Sequence, residues 1–98
     1  MEKLHTPQVD ELFEAILSLK TPEECYSFFE DVCTVKEIMD IAQRLKTARM
    51  LSEGANYQEI NKETGCSTAT ISRVRRSLEY GAGGYKTVLS RTDKKENQ

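Results

Sequence analysis

Apolar residues recur along this chain at intervals of three and four, and no stretch of useful length alternates with period two. That spacing marks amphipathic helices, so the pattern predicts an all-α fold of five to six short helices. Thr6-Pro7 reads as an N-cap followed by proline at the first helical position, and Val9, Leu12, Phe13, Ile16 and Leu17 then form one stripe. Thr21 and Glu24 have the spacing of a capping box and open a second helix, striped by Cys25, Phe28, Phe29, Val32 and Cys33. Thr34 and Glu37 repeat that spacing and start the longest helix, which runs to about Ser52. Its buried line is read as Ile38, Ile41, Ala42, Leu45, Ala48 and Leu51, and Gly54 supplies the left-handed residue that ends it.

The next two helices, at 57–64 and 68–80, are short and separated by Gly65-Cys66. Two short helices across so tight a turn are the sequence form of a helix-turn-helix, in which the second helix enters the major groove of DNA. Ile60, Ile71 and Val74 are spaced to form the small core between them, with Cys66 as a small buried residue after the turn. Ser67 is the N-cap of the second helix. Thr68, Ala69, Thr70, Ser72 and Arg73 follow as its groove-facing residues, because small side chains allow close approach and hydroxyls or a methyl can meet base edges. Arg75 and Arg76 are placed to hold phosphate or read guanine, and Gln58 to contact phosphate from the first helix. The bland alternative for the same stretch is a helical hairpin with solvated arginines. Gly81-Ala82-Gly83-Gly84 interrupts the helix, and Tyr85 to about Arg91 can form one or two further turns. Residues 1–91 thus read as one domain and 92–98 as a disordered tail.

Charge changes the picture because it is unevenly distributed. The net charge is −2, yet residues 1–40 carry ten acidic and three basic side chains and residues 41–98 carry six acidic and eleven basic ones. A cationic surface on the C-terminal half is what phosphate binding requires, whatever the sum for the chain. No apolar run reaches membrane-spanning length and the first residues lack a signal peptide's apolar stretch, so a soluble, cytoplasmic bacterial protein, bound to the nucleoid when on DNA, is expected. Cys25, Cys33 and Cys66 fit neither a disulfide framework nor a zinc site and read as buried apolar residues. His5 is the single histidine and reads as a surface residue, Glu23-Glu24 as helix N-terminal charge, and no glycine-rich phosphate loop exists. Tyr57, Tyr80 and Tyr85 are scattered singly and read as packing at helix ends, not as a base-stacking platform. No enzyme, metal or cofactor is indicated.

The stretch from Thr34 to about Leu78 resembles the tryptophan repressor family, and the whole chain resembles its short members of the YerC/YecD type. The matching elements are Thr34-Val35-Lys36-Glu37, Arg44-Leu45, Gly54, Gln58-Glu59-Ile60, Thr70-Ile71-Ser72-Arg73 and Ser77-Leu78, while GAGGYK at 81–86 points to the subgroup. The resemblance implies an intertwined all-helical homodimer whose two helix-turn-helix heads meet successive major grooves of a palindromic operator in double-stranded DNA. It also carries the repressor's corepressor pocket onto Thr34, Arg44, Arg73 and Ser77. Two departures bear on that inheritance. Asn61 stands where the family has alanine, and Val74 stands where the repressor's glycine leaves room for the ligand. A valine filling that space makes an indole costly to admit, so no L-tryptophan corepressor is expected. The reading is a sequence-specific DNA-binding regulator acting as a repressor without tryptophan, the alternative being a helical protein-interaction module.

Overall fold

The structure is a computed structural model that describes residues 2–93. Among them are a short 3-10 turn, Glu2–Leu4, and six α-helices: α1 Pro7–Leu17, α2 Pro22–Val32, α3 Val35–Ser52, α4 Tyr57–Thr64, α5 Thr68–Tyr80 and α6 Gly84–Arg91. No strand occurs among the described residues. Of the expected tail, 94–98 lie outside them.

Local chemistry sets the helix boundaries. Thr6 Oγ1 accepts the Val9 N–H at 3.2 Å and Thr21 Oγ1 accepts the Glu24 N–H at 3.1 Å, each just ahead of a proline at the first helical position. Glu24 does not close the second box on Thr21; its carboxylate reaches one residue further back, to the Lys20 N–H at 2.8 Å. Thr34 and Glu37 exchange both bonds, at 2.8 and 3.1 Å, and so do Asn56 and Glu59, at 2.8 and 2.9 Å. Each such cap stabilises its helix by about 1 kcal/mol. Gly54 follows α3 with φ +92°, a conformation an L side chain rarely adopts.

The chain divides into two compact units, with the boundary between Ile38 and Met39, within α3. In the first unit no described residue is buried; Leu12, Phe13, Leu17 and Val32 of the expected stripes are exposed. Phe28 and Phe29, half-buried, meet edge to face with ring centroids 5.3 Å apart. The second unit holds two small cores. Ile60, Cys66 and Ile71 form one, flanked by Met50, Leu51, Ala55 and Tyr57, and Ala48, Val74 and Leu89 form the other, flanked by Leu45, Leu51, Leu78 and Tyr85.

This division corrects several expectations. Val74 does not complete a trio with Ile60 and Ile71; it turns to α3 and α6, because α6 brings Leu89 to that side of α5. On α3 only Ala48 of the expected line is fully buried, Ile41 and Ala42 are exposed, and Thr47 is buried instead. Its Oγ1–H donates to Cys66 Sγ at 3.4 Å, which satisfies a hydroxyl that would otherwise be orphaned in the core. Cys66 is buried as expected, but Cys25 is exposed and Cys33 half-buried. Tyr57 and Tyr85 pack on the cores, whereas Tyr80 is 83% exposed.

Candidate nucleic-acid interface

The turn between α4 and α5 is built from four residues. Gly65 takes φ +79° and donates its N–H to Asn61 O at 2.8 Å, closing α4. Asn61, the departure from the family pattern, is exposed, and its amide Nδ2 donates to Cys66 O at 2.8 Å and spans the turn. Thr64 Oγ1 accepts the Cys66 N–H at 3.1 Å while donating to Ile60 O at 2.7 Å. The backbone groups of the turn are therefore satisfied by side chains of α4, and Cys66 is held where it can enter the core.

Ser67 caps α5 as expected, accepting the Thr70 N–H at 3.2 Å and donating to Thr70 Oγ1 at the same distance. Its hydroxyl is thereby committed to the helix. Ile71 and Val74 are buried and Leu78 half-buried, which fixes the inward face of α5. At about 100° per residue, the opposite face carries Ala69, Arg73, Arg76 and Tyr80, with Ser72 at its edge. Thr68, Ala69, Ser72, Arg73, Arg75 and Arg76 are all exposed, Thr70 is half-buried, and Gln58 is exposed on α4. Arg73 and Arg76 have no salt-bridge partner among the described residues and leave their charge to the solvent side.

Arg75 is different. Its Nε donates to Glu79 Oε2 at 3.2 Å, one turn along α5. The Tyr57 phenol stands near its guanidinium and accepts from the Ser72 hydroxyl at a long 3.5 Å. Tyr57 is the first residue of α4, so this polar group ties the two helices together beside an open recess of about 390 Å³ lined in part by Tyr57, Arg75 and Glu79. Ser72 and then Arg75 make the Tyr57 hydroxyl more acidic than an ordinary phenol, and Tyr57 and then Glu79 hold Arg75 more firmly protonated. The chain order did not disclose this group, because Tyr57 and Ser72 stand fifteen positions apart. The glycine turn that folds α5 back on α4 was the one available signal.

The residues of the inherited pocket fare unequally. Arg44 and Ser77 line an open, mainly apolar recess of about 570 Å³ with Ile41, Leu45 and Tyr85. Arg73 is not in its lining. Thr34 belongs to the first unit and spends its hydroxyl on the Glu37 N–H. Val74 is 2% exposed, packed with Ala48 and Leu89.

With this geometry in view, comparison with known proteins is direct. The family model described as Trp repressor protein matches residues 7–93. The Bacillus subtilis protein YerC is 53% identical over 98 residues, spanning all of this chain and 94% of that one. The crystal structure of a TrpR-like protein from Eubacterium eligens aligns with TM-score 0.91 at 55% identity, over 93% of this chain and 94% of the other. A candidate Trp repressor from Staphylococcus aureus aligns with TM-score 0.90 at 52% identity, over 94% and 92% of the two chains. The all-helical fold, the helix-turn-helix and 87 consecutive matched residues agree, and the chain belongs to the Trp repressor family.

Proposed function

We propose that this protein is a sequence-specific DNA-binding transcriptional regulator that acts as a repressor. The observation that carries the reading is the outer face of α5, where Ala69, Arg73 and Arg76 stand opposite the buried Ile71 and Val74, behind a turn rigidified by Gly65 and Asn61. Thr68 and Ala69 supply small groups for base edges, Arg73 and Arg76 supply charge, and Gln58 supplies a phosphate contact from α4. The charge asymmetry supports the same reading, since the acidic side chains concentrate before residue 41.

The functional unit is a homodimer in the bacterial cytoplasm. Leu12, Phe13 and Leu17 on α1 and Val32 on α2 are exposed, and a second copy is the cover that family membership favours. Two heads related by a two-fold axis would meet half-sites about 34–36 Å apart on a palindromic operator. Tryptophan is not the switch: Val74 already fills the ground between α5, α3 and α6, and enlarging a packed site is unfavourable.

The test is selection of bound fragments from the genome, followed by titration of a recovered operator at several salt concentrations, with and without L-tryptophan. The expected result is a two-fold-symmetric motif, affinity that falls steeply with salt and no response to tryptophan. Salt-insensitive binding or absence of any enriched motif would overturn the regulator reading. Saturable micromolar heat on titrating L-tryptophan would overturn its independence from that ligand.

A further inference from the structure

Cys66, between the turn glycine and the cap of α5, is held at its backbone N–H, its C=O and its thiol. The N–H donates to Thr64 Oγ1 at 3.1 Å, the C=O accepts from Asn61 Nδ2 at 2.8 Å, and Sγ accepts from Thr47 Oγ1 at 3.4 Å. Cys66 is itself only 5% exposed, in the core it shares with Ile60 and Ile71. The bond from Asn61 is the shortest of the three, and it falls on the peptide that joins Cys66 to Ser67, the N-cap of α5. What α4 does to that peptide is therefore passed to the first turn of α5.

Asn61 grips the turn twice. Its own C=O accepts the Gly65 N–H at 2.8 Å, a backbone bond that any residue at this position keeps. The bond to Cys66 O belongs to the amide alone, because a carbonyl needs a donor and neither alanine nor a carboxylate offers one. Asn61 is exposed, so packing does not account for its side chain. We infer that Asn61 is a positioning residue for base reading, which fixes the start of α5 and so sets how well the protein tells its operator from other DNA. The inference rests on the regulator reading above and adds a specificity determinant to it. Thr68 and Ala69 stand at that start, and contacts to base edges are short and directional, so they need α5 to enter at one angle. Phosphate contacts made by long arginine side chains tolerate a looser turn, and they carry no sequence information. A turn that had to be ordered on the operator would give up affinity there and little elsewhere.

The test is Asn61→Ala, which installs the residue of the family pattern and raises helix propensity in α4, so the fold is kept. Affinity for a recovered operator should fall about tenfold, the order of one net hydrogen bond, while affinity for unrelated DNA stays within about twofold. The salt slope should hold its wild-type value, because no charge is removed. Amide exchange is a check that needs no DNA: it should quicken at Cys66 and Thr70 and stay as in the wild type at Val74, deeper in α5. Thr64→Val, which unpairs the Cys66 N–H instead, should move the operator-to-unrelated ratio in the same direction. A wild-type ratio in Asn61→Ala, or unchanged exchange at Cys66, would overturn the inference and leave the regulator reading intact. An equal loss on both DNAs would overturn it too, since that is the mark of a phosphate contact or of a smaller folded fraction. Failure of the wild type to bind any DNA would overturn both readings.

Discussion

In the unit that ends at Ile38, helices α1 and α2 have threonine caps and first-turn prolines, and not one described residue is buried. In the unit that follows, Thr47, Ala48, Ile60, Cys66, Ile71, Val74 and Leu89 are all buried. The same local rules therefore write helices in both regions, but only the second contains the partners that its apolar residues need. The difference teaches that amphipathic spacing specifies which face must be covered and not what covers it. Helices as short as these draw most of their stability from packing, so α1 and α2 in an isolated chain would be marginal. Charge follows the same division, with the acidic excess falling before residue 41 and the basic excess after it.

The largest expected effect lies in the core of the second unit. Ile71 is 0% exposed and touches both Ile60 and Cys66, so Ile71→Ala should cost about 2–5 kcal/mol of unfolding free energy. Should that variant not fold, Ile71→Val reports the same site at a cost of about 1 kcal/mol. Denaturant unfolding checks both. A loss under about 0.3 kcal/mol for either would mean that the second unit is no better packed than the first and would erase the contrast.

The counterpart in the first unit is Phe13, 55% exposed in the single chain. If a second copy covers it, Phe13→Asp should weaken the dimer by about 2 kcal/mol or more, better than tenfold in dissociation constant. Sedimentation equilibrium reads this directly, and unfolding of the wild type should depend on protein concentration while that of the variant should not. A wild type that sediments as a monomer at micromolar concentration would leave the apolar faces of α1 and α2 without the proposed cover.

What the chain order disclosed, and what it did not, follows the same line between local and distant interactions. Thr6, Thr21, Thr34 and Ser67 bond to residues three positions away, so their roles are written in adjacent sequence. Gly54 and Gly65 were legible for a similar reason, since the chain must turn there and a positive φ costs glycine little. The partners of Val74 were not legible, because they depend on how α6 returns to α3 and α5. Thr47 was missed because a threonine in a helix reads as surface unless its hydroxyl is known to find Cys66, nineteen positions on. Within the candidate interface, Arg75 and Arg76 read alike in sequence. Glu79, one turn along the same helix, and the tertiary neighbour Tyr57 set Arg75 apart.

That distinction among arginines gives the third prediction and tests the charge half of the comparison. Arg76→Ala should reduce operator affinity by about 1–3 kcal/mol if the side chain reads guanine, with lost preference at one base position. If it holds phosphate, the loss should be uniform across sequences and the salt slope should fall by about one. Fluorescence anisotropy at three or more salt concentrations separates the two. An unchanged affinity would remove Arg76 from the interface and with it the main reason for assigning the basic half to DNA.

The smallest effect uses one chemical change in both regions. Thr21→Ala and Ser67→Ala each delete a cap hydroxyl, from bonds of 3.1 and 3.2 Å to the N–H three residues on. Each should cost about 1 kcal/mol where its helix belongs to the cooperative fold. For Ser67 this is assured by Ile71 and Val74, both buried in the same helix. For Thr21 it holds only if α2 unfolds together with the rest, which requires that its apolar face be covered in the dimer. Equal shifts of the denaturation midpoint therefore support the proposed dimer. A Thr21→Ala variant that speeds amide exchange within α2 and leaves the global midpoint unmoved would show that helix opening on its own. The first unit would then be a pair of well-capped helices whose stability is local, and the contrast between the two regions would extend from burial to cooperativity.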